Sequence, residues 1–592
     1  MSLLAVGPGA VWAVDPDGSI TRIDAASGAR VAHVHATGAS AIAVGDAGVW
    51  FLTTGSDGTP EVAQVDPRTN RVAQVVRVQT TELVGIAVGD GSVWATDPSE
   101  GVVWRIDPGP RPVERTIQLG FGVTQIAFGD GAVWASNLAS GTVSRIDPRT
   151  DQVTRSEQLA GTPQGLGVGD GRAWVSVVGG TRSGDLPAAD CSPVESGGAK
   201  PDVLIASDLP LQGPSVAATL AASVRFVLRS HGFRAGRYTV GYQSCDDSTA
   251  RDQSYDFFKC AANARDYARD AKLVAVLGPY DSGCAAIEIP IENRGPSGPL
   301  AMVSPSNTFS AFTRVDPDGP AHAPAIYYPT GTRNYLRLAP PDELQGAAQA
   351  VFAKQLGLHR VFLLSDGQEY GDALALGFRE AAAHLGVRVV GRATWAPGAP
   401  VQKVVAAVAG ARAEGVLVAG FNWDGITAIR ALRRRFGRHL VMIAGDGYLD
   451  IPSTLKAVGP AAEGMYVSLF GLGTPNTPAG RRLLAAFEST QQVQTPLVGT
   501  SLPEMLEAAE IVVDAIAGSD GTRASVLHAL ESTHVTGSIL GSFRFDHGDM
   551  TPAPFAIFRI TGGRGERALP PDYRGSVVAR TVRASVGLLR GR

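Results

Sequence analysis

One phrase returns five times in the first 180 residues. It reads AVGPGAVW up to Trp12, AVGDAGVW to Trp50, AVGDGSVW to Trp94, AFGDGAVW to Trp134 and GVGDGRAW to Trp174. The steps between these tryptophans are 38, 44, 40 and 40 residues. A second marker keeps the same beat: RID ends at Asp24, QVD at Asp66, and RID again at Asp107 and Asp147. A period near 40 with several short alternating strands per unit specifies stacked β units of the propeller-blade kind, because no single unit can bury its own apolar face. Asp-Gly supplies the positive φ of a two-residue hairpin turn, and the apolar runs on either side of it pair as neighbouring strands. The tryptophans are expected to pack between units. DPRT at Asp66–Thr69 and Asp147–Thr150 is turn chemistry. Four complete units and a fifth hairpin are legible over residues 1–180. Met1 already lies inside the repeat, so the propeller is expected to be incomplete at its start.

The pattern dissolves at Gly179. Residues 181–200 are rich in Gly, Pro, Ser and Asp and read as a linker. A different rhythm follows. VLIASDL (Val203–Leu209) is a continuous apolar run of the kind buried in a parallel sheet. After it, Val216, Leu220, Val224 and Val227 share one helical face. YTVGYQS, a helix around 257–271, LVAVLGP, a further helix and AMVSPS continue the alternation. A second set follows with RVFLLSD at Arg360, RVVGRAT at Arg388, GVLVAGF at Gly415, LVMIAGD at Leu440 and EGMYVSL at Glu463. A long helix through 504–517 and the strands SFRFD and FAIFRI close the series. Two βαβ sets predict two doubly wound α/β lobes, with ligand sites beyond the carboxyl ends of the strands. The binding unit is placed at 201–562 and a C-terminal tail at 563–592.

Composition narrows the function. A net charge of −4 over 592 residues, with no basic stripe, gives nucleic acid no footprint. No apolar run is long enough to span a membrane. No signal peptide is visible, which conflicts with the cysteine usage described below; an anchor or leader outside this sequence would resolve that conflict. GxSxG, HExxH and Walker signatures are missing from any fitting context, so no catalytic residue, metal or cofactor is assigned. The histidines His33 and His35 sit together in one strand region and read as structural. DPDGSI at Asp15 lacks the glutamate that would close a calcium loop.

The repeat, through GDG.VW and GTV.RIDP, resembles the YncE-like and streptogramin-lyase-like propellers, a likeness that bears on fold. Residues 201–562 resemble type I periplasmic solute-binding proteins of the leucine/isoleucine/valine-binding family. The matching pieces stand in family order: SDLPLQGPS, SCDDST, GPYDSGCA, MVSPSNT, LLSDGQEYGD, VAGFNWDG, IAGDGYLD and AAEGMYVS. The resemblance implies an interlobe site. Ser282, at a helix N-terminus, and Thr308 would hold a carboxylate, since free backbone N–H groups and the helix dipole favour an anion there. Ser306 would offer its carbonyl to an ammonium, Asp446 its carboxylate, and Tyr370 would close over the ligand from the opposite lobe. Phe421 and Asn422, with Trp423 next, replace the family's aromatic pair, and nothing large stands near Ala218. The pocket is therefore expected to differ in shape, and the ligand is read as an amino acid or related amide. Asp246 and Asp247 read as a helix cap and a turn.

The four cysteines, Cys191, Cys245, Cys260 and Cys284, cluster in one segment and fit no zinc spacing. They read as two disulfides and place the protein outside the cytoplasm. Three connectivities are open. The order of elements favours Cys245–Cys260 with Cys191–Cys284, whereas the family resemblance implies Cys245–Cys284. The expected partners are the small-molecule ligand, a transporter permease of the ABC type or a signalling component downstream, and a protein for the propeller. The competing reading is a scaffold or receptor ectodomain.

Overall fold

The computed structural model describes residues 3–589 apart from 37, 56–58, 79, 81–82, 99, 111, 121, 139, 160–161, 179–190, 213–214, 250–254, 316–322, 368, 396–400, 422–424, 450, 472–476, 492–500 and 563–575. The repeat folds as its period demands. Residues 4–34, 41–77, 85–118 and 123–158 each form a four-stranded antiparallel meander, and 162–178 form a two-stranded hairpin. The hairpin turns take positive φ at Asp90–Gly91, Asp130–Gly131 and Asp170–Gly171. The first strands of consecutive units, Leu4–Gly7, Ala41–Gly45, Gly85–Gly89, Val123–Gly129 and Thr162–Gly169, lie against one another in turn. Among the described residues no sheet closes on itself: the units form a row in which the fifth shows two strands.

Three of the repeat tryptophans lie in apolar clusters that join one unit to the next. Trp12 packs with Ile42 and Phe51 of the second unit, Trp50 with Ile86 and Val88 of the third, and Trp94 with Ile126 and Val133 of the fourth. Polar ties run the same way: Arg22 donates to Pro67 O at 2.6 Å, and the Gly91 amide donates to Asp46 Oδ2 at 3.0 Å. Trp94→Ala is expected to cost about 3–5 kcal/mol, as for any fully buried aromatic. Trp174→Ala, at the exposed end of the row, should stay within about 0.5 kcal/mol. Urea unfolding followed by near-ultraviolet circular dichroism checks the contrast, and equal costs would mean that this packing is not what stabilises the row.

The second half is bilobal. One lobe is built on a nine-stranded sheet whose parallel core runs 238–246, 203–209, 273–277, 301–304, 335–337. The other is a seven-stranded sheet with parallel strands in the order 388–394, 360–365, 415–419, 441–444, 466–470. In both, the first strand lies between the second and third, so the strand order reverses beside it. The chain crosses between lobes three times: before helix Asp342–Gln355, between Phe470 and Leu502, and at Pro552 between strands Asp549–Thr551 and Ala553–Ile560.

Four expectations need correction. The disulfides are Cys191–Cys245 and Cys260–Cys284, so neither the pairing favoured from element order nor the one implied by family likeness forms. Cys191 lies in an antiparallel bridge beside Cys245, with Cα atoms 3.9 Å apart, because the end of the linker docks as a short edge segment. Cys260 and Cys284 project from two helices packed side by side. Within the expected tail, Ser576–Ala584 is a strand paired antiparallel with Ala553–Ile560. Asp247 is neither cap nor exposed turn: Asp256 caps helix Phe257–Arg269, and Asp247 is fully buried.

The two halves touch at helix Phe257–Arg269, which meets strand Thr162–Gly169 and receives Leu138. Leu138, in the fourth unit, is fully buried among Ala261, Ala264, Ile287 and the Cys260–Cys284 pair. Arg265 donates to the Leu138 carbonyl in the same contact.

Candidate functional site

In the first lobe the site grows from the turn after strand Leu273–Leu277. Gly278 has φ +133, and a methyl group there would fall 2.4 Å from Asp208 O, so only glycine lets this turn approach the end of the first strand. Tyr280 and Asp281 follow, and Ser282 opens helix Ser282–Asn293. Asp281 stands at the N-cap position without accepting a capping hydrogen bond. The N–H groups and dipole of a helix start of this kind favour an anion. The next strand end is laced to this turn: Ser306 Oγ donates to Tyr280 O at 2.7 Å, Asn307 Nδ2 to the same oxygen at 2.9 Å, and Ser304 Oγ to Pro279 O at 3.2 Å. Arg337 fixes the loop from behind, donating to Phe309 O at 2.6 Å. Ser282, Ser306 and Thr308 are thus held on one connected rim, each partly exposed.

The second lobe repeats the device. Gly420 has φ +146, and a methyl group there would fall 2.6 Å from Asp366 Oδ2. Phe421 follows it, with its ring centroid 5.0 Å from that of Tyr370. Tyr370 Oη donates to Asp446 Oδ1 and accepts from the Gly447 amide at 3.1 Å. A side chain at Gly445 would strike the Tyr370 hydroxyl, so the glycine keeps this pair together. Burial raises the Asp446 carboxyl, against the opposing effect of the Tyr370 and Gln345 hydrogen bonds. Burial, then the charges of Asp446 and Asp342, push the Tyr370 hydroxyl well above its ordinary value, so it stays a donor. Asn422 lies outside the described residues.

Asp342 joins the two rims. Its backbone N–H donates to Thr308 O at 3.2 Å, while its charge acts on Tyr370. Sequence reasoning did not single it out, because it begins a helix after a Pro-Pro step with no motif around it. It also missed Tyr255, whose hydroxyl fills the space beside Gly283 at the helix N-terminus.

Beneath the Ser282 turn lies a buried acidic group: Asp208, Asp247, Glu288 and Glu292. Asn263 Nδ2 donates to Asp208 Oδ1 at 3.0 Å, and neither oxygen of Asp247 has a hydrogen-bond partner. Burial raises all four carboxyls; the charges of other members push Asp247, Glu288 and Glu292 further, whereas hydrogen bonds with Glu288, Asn263 and Tyr267 oppose the rise at Asp208. Four neighbouring carboxylates cannot all ionise in such a setting, so the group holds protons at neutral pH.

Two doubly wound lobes joined by three crossing segments define the class: a bilobal α/β fold of the kind that takes ligands beyond its strand ends. The family model described as periplasmic binding protein matches residues 247–564, more than half of the chain, and the chain belongs to that family. Residues 4–116 match a model described as a repeat of unknown function. No curated protein matches. Among solved structures, the chain is similar to an ABC transporter substrate-binding protein from Sphaerobacter thermophilus, with 19% identity, 65% of this chain and 98% of that one covered, and a TM-score of 0.50. It is also similar to a substrate-binding protein from Desulfitobacterium hafniense in complex with leucine, at 20% identity, 61% and 98% coverage and a TM-score of 0.48. A solute-binding protein from Rhodopseudomonas palustris in complex with benzoate is 16% identical, with 65% and 97% coverage and a TM-score of 0.45.

Proposed function

We propose that the chain captures a small zwitterion, an amino acid or related amide, between its lobes outside the cytoplasm, for ABC-type uptake or for sensing. The observation that carries this reading is the opposition of charge preferences. The helix start at Ser282, with Thr308 beside it, suits a carboxylate, and the Tyr370–Asp446 pair suits an ammonium. Phe421 supplies an apolar wall. The two disulfides fit an oxidising compartment. Binding without turnover is the reading for this site.

The test is a thermal-shift panel of amino acids and small amides on the full chain. A ligand at a hundred times its dissociation constant should add roughly 2.7 kcal/mol of stability. Asp446→Asn should weaken that ligand by about 2 kcal/mol or more, because a charged pair loses one partner. No shift from any amino acid or amide would overturn the proposal, as would chemical conversion of the ligand during incubation.

A second reading, a receptor in which the repeat row reports on the ligand lobe, draws on the Leu138 contact. The row, an open arc of propeller-like blades on this reading, packs against helices Phe257–Arg269 and Ser282–Asn293 through Leu138.

A further inference from the structure

Inside the row, one contact recurs four times. The glycine that ends the first strand of each unit receives the apolar residue before the corresponding glycine of the next unit. A methyl group built on Gly7 would fall 2.6 Å from Val44 Cγ1, on Gly45 2.8 Å from Val88 Cγ1, on Gly89 2.0 Å from the Phe128 ring, and on Gly129 2.7 Å from Val168 Cγ1. The glycines are there to let neighbouring strands approach. At the fifth position the rule breaks: a methyl group on Gly169 would meet nothing within 4 Å. Among the described residues nothing sits in this seat. The tryptophans run the same way: Trp12 is 2% exposed, Trp50 and Trp94 are 0% exposed, Trp134 is half-buried, and Trp174 is 63% exposed.

The other end of the row carries the missing half. Val6 holds the position of Val44, Val88, Phe128 and Val168, yet it is 67% exposed, where Val88 is 6% exposed. Leu4 beside it is 55% exposed. Gly9 stands where Gly91 and Gly171 donate their amides to Asp46 and Asp130 of the preceding unit, and Asp170 stands where those carboxylates stand. Each end of the row therefore presents one half of an interface that the chain builds four times within itself.

We propose that the row associates head to tail, with the Leu4–Gly7 end of one copy seated on the Gly169–Trp174 end of a second copy. The occupant is a second copy because the two ends match each other, and neither matches itself. Such a contact is heterologous: it closes into a ring or grows, according to the angle between copies.

Sedimentation velocity of the full chain across a wide concentration range, with two variants, tests this. Val6→Asp places a charge on the head, where the exposed side chain leaves folding intact. Gly169→Val fills the seat, where the single chain has room for it. The wild type should associate with rising concentration, and each variant alone should lose that association. The two variants mixed should form a pair of one to one that grows no further, because one keeps a good tail and the other a good head. A wild type that stays monomeric throughout would overturn the proposal. So would association that survives either substitution, or a mixture that fails to pair.

Discussion

Arg337→Met is expected to cost about 3–5 kcal/mol, the usual result of leaving one member of a buried ion pair alone. Arg337 and Asp549 are fully buried, with Nε 2.7 Å from Oδ1. Arg337 also donates to Thr313 Oγ1 at 2.6 Å, and Thr313 in turn donates to Asp549 Oδ2 at 3.0 Å. With the guanidinium gone, the desolvated carboxylate carries the cost. The double change Arg337→Met with Asp549→Leu should recover much of the loss, since apolar side chains of similar volume often replace buried pairs at little expense. Urea unfolding followed by the far-ultraviolet helical signal reports the binding unit alone, because the described helices all lie beyond residue 200. Ligand affinity should fall with Arg337→Met as well, because the guanidinium holds the carbonyls of Asn307 and Phe309 on either side of Thr308. A loss well under 1 kcal/mol, or a double variant as damaged as the single, would show that the network is not stabilising in this way.

Raising the pH should destabilise the binding unit. Burial pushes the Glu504 carboxyl up to about 8, and burial with neighbouring acids pushes Glu507 up to about 7, against an ordinary value of 4.5. The buried Asp208, Asp247, Glu288 and Glu292 shift the same way. In each case the native state keeps a proton that the unfolded chain gives up. Stability is therefore fully present below about 4.5, declines as pH rises, and for Glu504 finishes declining near 8. For Glu504 alone the change is on the order of 5 kcal/mol. Urea midpoints measured from pH about 5 to about 9 should fall steadily, and Glu504→Gln should flatten the slope. A flat wild-type profile would mean that these carboxyls are solvated or paired in solution.

What could be read from the sequence follows from what depends on local order. The 40-residue period is a direct record of stacking, so the units, their Asp-Gly turns and the burial of Trp50 and Trp94 were visible in advance. The strand runs of both lobes were visible for a similar reason, because a buried parallel strand is apolar throughout. The partnership of Tyr370 with Asp446 was approached only through resemblance, and the structure brings the two into contact across 76 residues of sequence. The disulfide pairing was not legible, since it depends on where a linker end docks. The Arg337–Asp549 pair spans 212 positions and carries no motif. Ser576–Ala584 was hidden by its exposure, as an edge strand with four consecutive exposed residues shows little apolar alternation.

The Leu138 contact has a mechanical meaning. Seated between two helices of the first lobe and beside a covalent crosslink, it fastens the repeat row to that lobe as an arm is fastened to a shaft. Any rotation of one lobe against the other about the three crossing segments would sweep the whole row through the same angle. A small displacement at the ligand seat would then be magnified at the row's far end, more than a hundred residues of chain away from the pivot.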